Sequence, residues 1–208
     1  MPVELITTSG IFALDGGEWE VTNNIWLIGD DREVTVIDAA HDHRPIVEAI
    51  NGRHVRAIVL THGHNDHINA AGALSDQVDA PIHLHTDDRM LWDVVYPKRS
   101  PDRALMPGTS LTSAGIEIGV LHTPGHSPGC CCLHVPSEGV VFSGDTLFCG
   151  GPGATGRSHS DYATIVESIR TQLLTLPGHT VVHTGHGDST TIGAEAPALA
   201  DWLAAINA

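Results

Sequence analysis

Basic residues are scarce in this sequence. Ten Lys and Arg stand against 25 Asp and Glu, the formal net charge is −15, and Lys98 is the single lysine. Nucleic-acid binders present a basic face to phosphates, so a nucleic-acid partner is not expected. Long apolar runs are also missing: nothing approaches the roughly 20 residues of a membrane span, and Met1–Gly10 has neither a basic stretch nor an apolar signal core. The chain therefore reads as cytoplasmic, with no membrane partner. Of four cysteines, three are consecutive (Cys130, Cys131, Cys132), a poor disulfide framework for this size. Adjacent strand residues point to opposite faces, so these three do not make one zinc cluster and read as small buried residues. Cys149 stays open, because it lies four residues past Asp145. Low-complexity tracts, linkers and repeats are absent, and 41% hydrophobic against 17% charged residues excludes disorder. One compact domain over residues 1–208 is the expectation.

What is present is a run of short β-branched segments. Val3–Thr7, Asn24–Ile28, Glu33–Ile37, Ala57–Leu60, Pro81–Leu84, Ile116–Leu121, Cys131–Val135, Val140–Phe142 and Thr180–His183 predict strands. Asp161–Leu176 carries Tyr162, Ile165, Val166, Ile169 and Leu173 at helical spacing, and Leu199, Trp202, Leu203 and Ile206 repeat the pattern near the C-terminus. Shorter helices are expected after Pro45, Asn69 and Thr86. Strands alternating with helices indicate a layered α/β architecture.

The 15 histidines gain meaning from position. Ala57–Leu60 ends in His62, His64, Asp66 and His67; Ile116–Leu121 leads to His126; Val140–Phe142 to Asp145; and Thr180–His183 to His186. Loops past strand C-terminal ends share one edge of a sheet, so these four can converge. His62 and His64, two apart in extended backbone, project to one side and suit one ion, while Asp66 and His67, at a turn into a helix starting near Ile68, suit another. Imidazole and carboxylate fit zinc, iron or manganese, and a carboxylate such as Asp145 can bridge two ions. Glycines at 125, 144 and 185 are expected to turn the backbone just before each ligand.

The ordered set His62-x-His64-x-Asp66-His67, His126 in TPGHSPG, Asp145 in SGDTLF and His186 in TGHG resembles the metallo-β-lactamase superfamily over roughly residues 20 to 190. The resemblance implies a four-layer αβ/βα sandwich with the site at the edge between two sheets. It implies that His62, His64 and His126 hold a first metal, that Asp66, His67 and His186 hold a second, and that Asp145 bridges, the pair being two divalent ions, zinc first, with iron or manganese as alternatives. Many true β-lactamases of this superfamily lack a bridging aspartate, whereas Asp145 resembles the glyoxalase II, lactonase and phosphodiesterase branches. Gly144–Phe148 and the glycine-rich stretch to Arg157 are most similar to glyoxalase II-type thioester hydrolases, although the helical region with which those enzymes grip glutathione has no counterpart after Asp188.

The expected reaction is attack on a thioester carbonyl by a water that two cations acidify, with Asp66 orienting the nucleophile and accepting its proton. Nine arginines to one lysine suggest GC-rich coding, and so a thiol of the mycothiol type. An iron-dependent persulfide dioxygenase, a lactonase and an inactive metal-binding module remain open alternatives. The partner is a small-molecule substrate, and a homo-oligomer is compatible with everything above. Arg157, after the flexible Gly150–Gly153 segment, can anchor a substrate carboxylate or make a surface ion pair; Tyr96 and Lys98 can line the substrate mouth or lie exposed. Asp38 reads as a support behind the site, His122 and His183 as strand-end residues satisfying backbone groups, His83 and His85 as neighbours matching no ligand position, and His159 as solvent-facing. His41, His43, His54, His134 and His179 read as surface or loop residues.

Overall fold

The computed structural model describes residues 3–206. Its strands are β1 (Val3–Leu14), β2 (Gly17–Gly29), β3 (Glu33–Ile37), β4 (His54–Val59), β5 (Ile82–Leu84), β6 (Arg103–Ala104), β7 (Ser110–Ser113), β8 (Ile116–His122), β9 (Cys131–Val135), β10 (Val140–Gly144), β11 (Leu147–Phe148), β12 (Gly151–Pro152), β13 (Val181–Thr184) and β14 (Thr190–Thr191). Helices are α1 (His43–Ile50), α2 (Asn65–Ile68), α3 (Ala71–Val78), α4 (Arg89–Val95), α5 (Tyr162–Ser168), α6 (Ile192–Glu195) and α7 (Leu199–Ala205). The first six strands form one sheet in sequence order; the second sheet runs β14-β13-β10-β9-β8-β7, and β11 and β12 form a small ribbon.

Alternation along the strands creates the layers. In β2, Ile25 and Leu27 face the core shared with α1 and α3, while Trp26 and Ile28 face a second core filled by Ile118, Leu133 and Phe142 from the other sheet. Cys132, Val141 and Val182 turn outward to a third core beneath α5 and α7, which contribute Ile165, Val166 and Trp202. Two sheets packed face to face, each covered by helices, make four layers. Cys131 belongs to the middle core and Cys132 to the outer one, so these neighbours do point apart, and Cys130 to Cys132 are all buried. Strands buried on both faces need mostly apolar residues, which is why Ala57–Leu60 is a continuous run and Val34–Ile37 is interrupted only by the β-branched Thr35.

The sheets are joined near one edge. Asn24 N–H donates to Gly185 O at 2.8 Å, Trp26 Nε1–H to Thr184 O at 3.0 Å, and Cys131 N–H to Thr61 O at 2.8 Å. β3 pairs parallel with β4, and β10 with β13, so their C-terminal ends open onto this edge.

Several expectations need correction. The N-terminal strands are far longer than expected and form a hairpin whose outer half, Ser9 to Thr22, reaches over the edge. The helix from Asp161 is α-helical only to Ser168 and continues as a π-helical turn over Ile169–Leu173. Helix α2 starts at Asn65, so Asp66 and His67 sit inside it rather than before it. Among the described residues no helix is long and apolar enough to cross a membrane.

Candidate metal centre

The four expected loops do meet. His62 and His64 leave β4 in extended backbone, and the single turn of α2 then carries Asp66 and His67 around to a second position. His126 follows β8, Asp145 follows β10 and His186 follows β13. Gly144 takes the turn before Asp145 at φ +48°, a left-handed conformation that favours glycine. Gly185 acts differently from the expected turn: it is absent from the positive-φ residues, and a side chain there would run into the Asp145 carboxylate and the His67 ring.

The seven donors form three overlapping groups: His62, His64 and His126; His62, His67 and Asp145; and Asp66, His67 and His186. His62 Nε2 is 3.1 Å from His64 Nδ1, which is 2.9 Å from His126 Nε2. His67 Nε2 lies 3.2 Å from His186 Nε2 and 3.5 Å from Asp66 Oδ2. Asp145 touches both ends, with Oδ1 3.3 Å from His67 Nε2 and Oδ2 3.6 Å from His126 Nε2. Four donors at zinc-ligand bond lengths on a tetrahedron lie about 3.3 Å apart, so this spacing fits metal coordination.

Proton placement supports the fit. The outward nitrogens of all the donor histidines but His64 are engaged: His67 Nδ1 with Asp38 Oδ2 at 3.0 Å, His126 Nδ1 with Ala154 O at 2.7 Å, and His186 Nδ1 with Thr22 O at 2.8 Å. The Thr61 hydroxyl donates to Asp38 Oδ2, leaving its lone pair to accept from His62 Nδ1–H at 3.1 Å. Each of these rings thus directs its other nitrogen inward, the orientation that an outer hydrogen bond enforces on a metal-binding imidazole. Asp66 Oδ1 and Asp145 Oδ1 are buried without any hydrogen-bond partner among the described residues, a costly state that a cation or a water bound to it relieves. These His/Asp clusters fit a binuclear metal site.

The protein alone divides the centre electrically. Burial, reinforced by neighbouring imidazoles, pushes His62 well below its ordinary range and His64 down to about 3, so both are neutral. Burial also opposes a charge on His186, but Asp145 and Asp66 outweigh it and raise the ring to about 10; the same balance holds His67 well above its usual value. Burial works against ionised Asp66, yet His67 and His186 keep it at about 2. Two protonated rings balance two carboxylates where a cation would do so instead.

Asp38 stands where expected, behind the site. Its Oδ1 accepts from Thr61 N–H at 2.7 Å and its Oδ2 serves both Thr61 and His67. A cavity of about 430 Å³ opens over the donors, walled by Phe12 and Trp19 of the hairpin, Phe148 and Arg157. Arg157 packs its guanidinium over Trp19 at 3.9 Å and Phe12 at 5.3 Å, and no carboxylate among the described residues forms an ion pair with it. Tyr96 and Lys98 are not part of this wall. The Tyr96 hydroxyl donates toward Ile68 O and Asn69 O and accepts from Gly72 N–H, which fastens α4 to the α2–α3 segment, and Lys98 is exposed. His85 and His122 stack with ring centroids 4.4 Å apart and planes 12° from parallel; one ion cannot lie in both ring planes, so they form no ready metal site. Cys149 and His159 are exposed.

Three contributors went unnoticed in the sequence. Asp88, fully buried, accepts from Gly63 N–H at 2.7 Å, Gly129 N–H at 2.6 Å and the Ser127 hydroxyl at 2.6 Å, joining the loops that carry His64 and His126. Asn65 pins the hairpin, accepting from Ala13 N–H and donating to Ile11 O, both at 2.8 Å. Asn23 bonds to Asp66. Asp88 and Asn23 belong to no recognisable motif and Asn65 fills a variable position of one, because each acts on groups distant in sequence.

Known proteins are similar to this chain in sequence and fold. The model of the metallo-beta-lactamase superfamily matches residues 19–186. The hydroxyacylglutathione hydrolase GloC of Haemophilus influenzae is 33% identical over 188 residues, covering 83% of this chain and 89% of that protein. Among solved structures, TTHA1623 in a di-iron-bound form superposes with a TM-score of 0.77 at 33% identity, over 85% of this chain and 93% of its own. The BLEG-1 B3 metallo-beta-lactamase gives a TM-score of 0.77 at 30% identity, over 91% and 95%.

Proposed function

Because the chain belongs to the metallo-beta-lactamase superfamily as one of its metal-dependent hydrolases, we propose that residues 1–208 form one domain that hydrolyses a thioester of a low-molecular-weight thiol. The observation that carries this reading is Asp145, whose two oxygens reach His67 on one side and His126 on the other. A carboxylate so placed suits two ions sharing one site. The similarity to GloC supports a thioester, and the guanidinium of Arg157 in the cavity wall supports a substrate with an acidic group.

His62, His64 and His126 would hold one divalent ion, Asp66, His67 and His186 the other, with Asp145 between them. Bound there, a zinc, iron or manganese pair supplies Lewis acidity, lowering the pKa of water toward neutrality and polarising a carbonyl. The residues do the rest. Asp66 Oδ1, buried and unpartnered, is free to orient the attacking water and take its proton. Phe12, Trp19 and Phe148 exclude solvent from the acyl group. Arg157 offers its donors to a substrate carboxylate while the aromatic faces hold its plane still.

The test is metal analysis of native protein with a panel of thioesters, lactones, persulfides and a β-lactam, following thiol release and oxygen uptake together. Two metals per chain with thiol release support the proposal. TTHA1623 was solved with two irons, so iron is tested beside zinc, and the second reading is an iron-dependent persulfide dioxygenase. One iron per chain with oxygen consumption would replace the first reading by it.

A further inference from the structure

Asp66 is held by a closed circuit of side chains that begins and ends on one short segment. Asn23, completely buried, places Nδ2 3.0 Å from Asp66 Oδ2. Its Oδ1 lies 2.8 Å from His41 Nε2. His41 Nδ1 is 3.3 Å from Asn69 Nδ2, and His41 N–H donates to Asn69 Oδ1 at 2.5 Å. Asn69 caps the helix in which Asp66 sits.

One backbone group sets the polarity of the whole circuit. A backbone N–H can only donate, so the Asn69 atom facing it is the oxygen, and the Asn69 amide nitrogen must face His41 Nδ1. That nitrogen can only donate, so Nδ1 accepts and the His41 proton resides on Nε2. Nε2–H then requires the oxygen of Asn23, which turns the Asn23 amide nitrogen to Asp66. The end of the chain is a donor delivered to Oδ2, the Asp66 oxygen that faces His67 and His186 at 3.5 and 3.4 Å. Asp66 cannot rotate without breaking it, and Oδ1 stays unpartnered.

The surroundings are shaped for this ring. His41 adopts φ +56°, a conformation that costs energy for a residue with a side chain, and a side chain at Gly10 on β1 would overlap the imidazole. Thr8 Oγ1 donates to Ala40 O at 2.9 Å and so ties the His41 loop to the same strand. An ordinary surface loop has no need of a left-handed histidine beneath a glycine.

We propose that His41 and Asn23 are positioning residues for Asp66: through a hydrogen-bond chain of fixed direction they aim its carboxylate at the ion held with His67 and His186. The proposal rests on the reading of Asp66 as a metal ligand. Outer partners of metal ligands change affinity by about 10- to 100-fold.

The experiment titrates the metal-free full chain with Co(II), following the ligand-field absorption and chelator competition, for wild type, Asn23→Leu, His41→Leu and His41→Gln, with thermal unfolding of each. In Asn23→Leu one cobalt ion should bind about 10- to 100-fold more weakly with an altered spectrum, the other ion keeping its affinity. His41→Leu should move the same ion in the same direction, and His41→Gln, which restores a donor to Asn23, should recover most of the loss. Should Asn23→Leu fail to fold, the two His41 variants carry the test. Wild-type affinity and spectrum in the folded Leu variants overturn the proposal, as does equal weakening of both ions alongside a lower unfolding temperature, which marks a merely structural role. Fewer than two cobalt ions in wild type overturns the metal reading together with it; two ions in wild type and unchanged variants overturn only the positioning role.

Discussion

The guanidinium of Arg157 lies 3.9 Å from the centre of the Trp19 ring, so a charge from the loop after β12 is seated on the hairpin of β1 and β2. Stacking leaves the edge donors of the fork free. Arg157→Met should raise KM about tenfold for a substrate carrying a carboxylate, the size of one charge-assisted hydrogen bond, and leave a neutral analogue nearly unaffected. Arg157→Lys should not restore binding, since an ammonium lacks the planar fork. Steady-state kinetics on a matched acid and amide pair decides; equal losses on both would remove Arg157 from substrate recognition.

Asp145→Ala removes the carboxylate that touches both donor groups. The purified variant should hold fewer than two ions per chain by elemental analysis, with kcat/KM lower by roughly 100-fold or more. Two ions retained with full activity contradicts the bridging role.

Asp88 →Ala strips three buried donors of their acceptor at once. Urea unfolding should show a loss of about 3 kcal/mol or more, and the ion shared by His64 and His126 should weaken with it. Stability within a few tenths of a kcal/mol of wild type would mean that the loops do not depend on this carboxylate.

Metal-free protein should lose stability as pH rises. Against burial, the carboxylates raise His186 from 6.5 to about 10, so the folded state holds a proton that the unfolded chain releases near 6.5. That contribution is complete below pH 6.5 and disappears as pH climbs toward 10, and His67 acts in the same direction. His64, lowered to about 3, is neutral in both states above pH 6.5 and does not offset the trend. Calorimetry from pH 6.5 to 10 should give a falling unfolding temperature without metal and a much flatter one with saturating zinc, because the ions replace the protons.

The middle of each sheet was readable from composition because burial on two faces demands segments rich in apolar and β-branched residues: Glu33–Ile37 and Cys131–Val135 match their expected bounds. The outer hairpin was not. Its residues alternate between partly buried and exposed, its turn is Asp15-Gly16, and only the complete sheet shows what Phe12 and Trp19 cover. Ligand positions were legible because each lies just past a strand end. Of their supports only Asp38 was: Asp88 acts on amides 25 and 41 residues away, and the role of His41 depends on Asn23 and Asn69, which only the fold brings beside it. His41 does lie in a loop, as expected, but its hydrogen bonds to Asn23 and Asn69 could not be read from that.

Four donors of the centre follow β4 of one sheet, and three follow β8, β10 and β13 of the other. Ions held between them therefore act as a removable cross-link, tying His67 to a partner 119 residues onward much as a disulfide would. Constraining so long a loop penalises the open chain most, and binding confined to the folded state adds stability with every increase in free metal. In a cell, the lifetime of this protein would then track metal supply, with starvation loosening the seam between its halves before any substrate is involved.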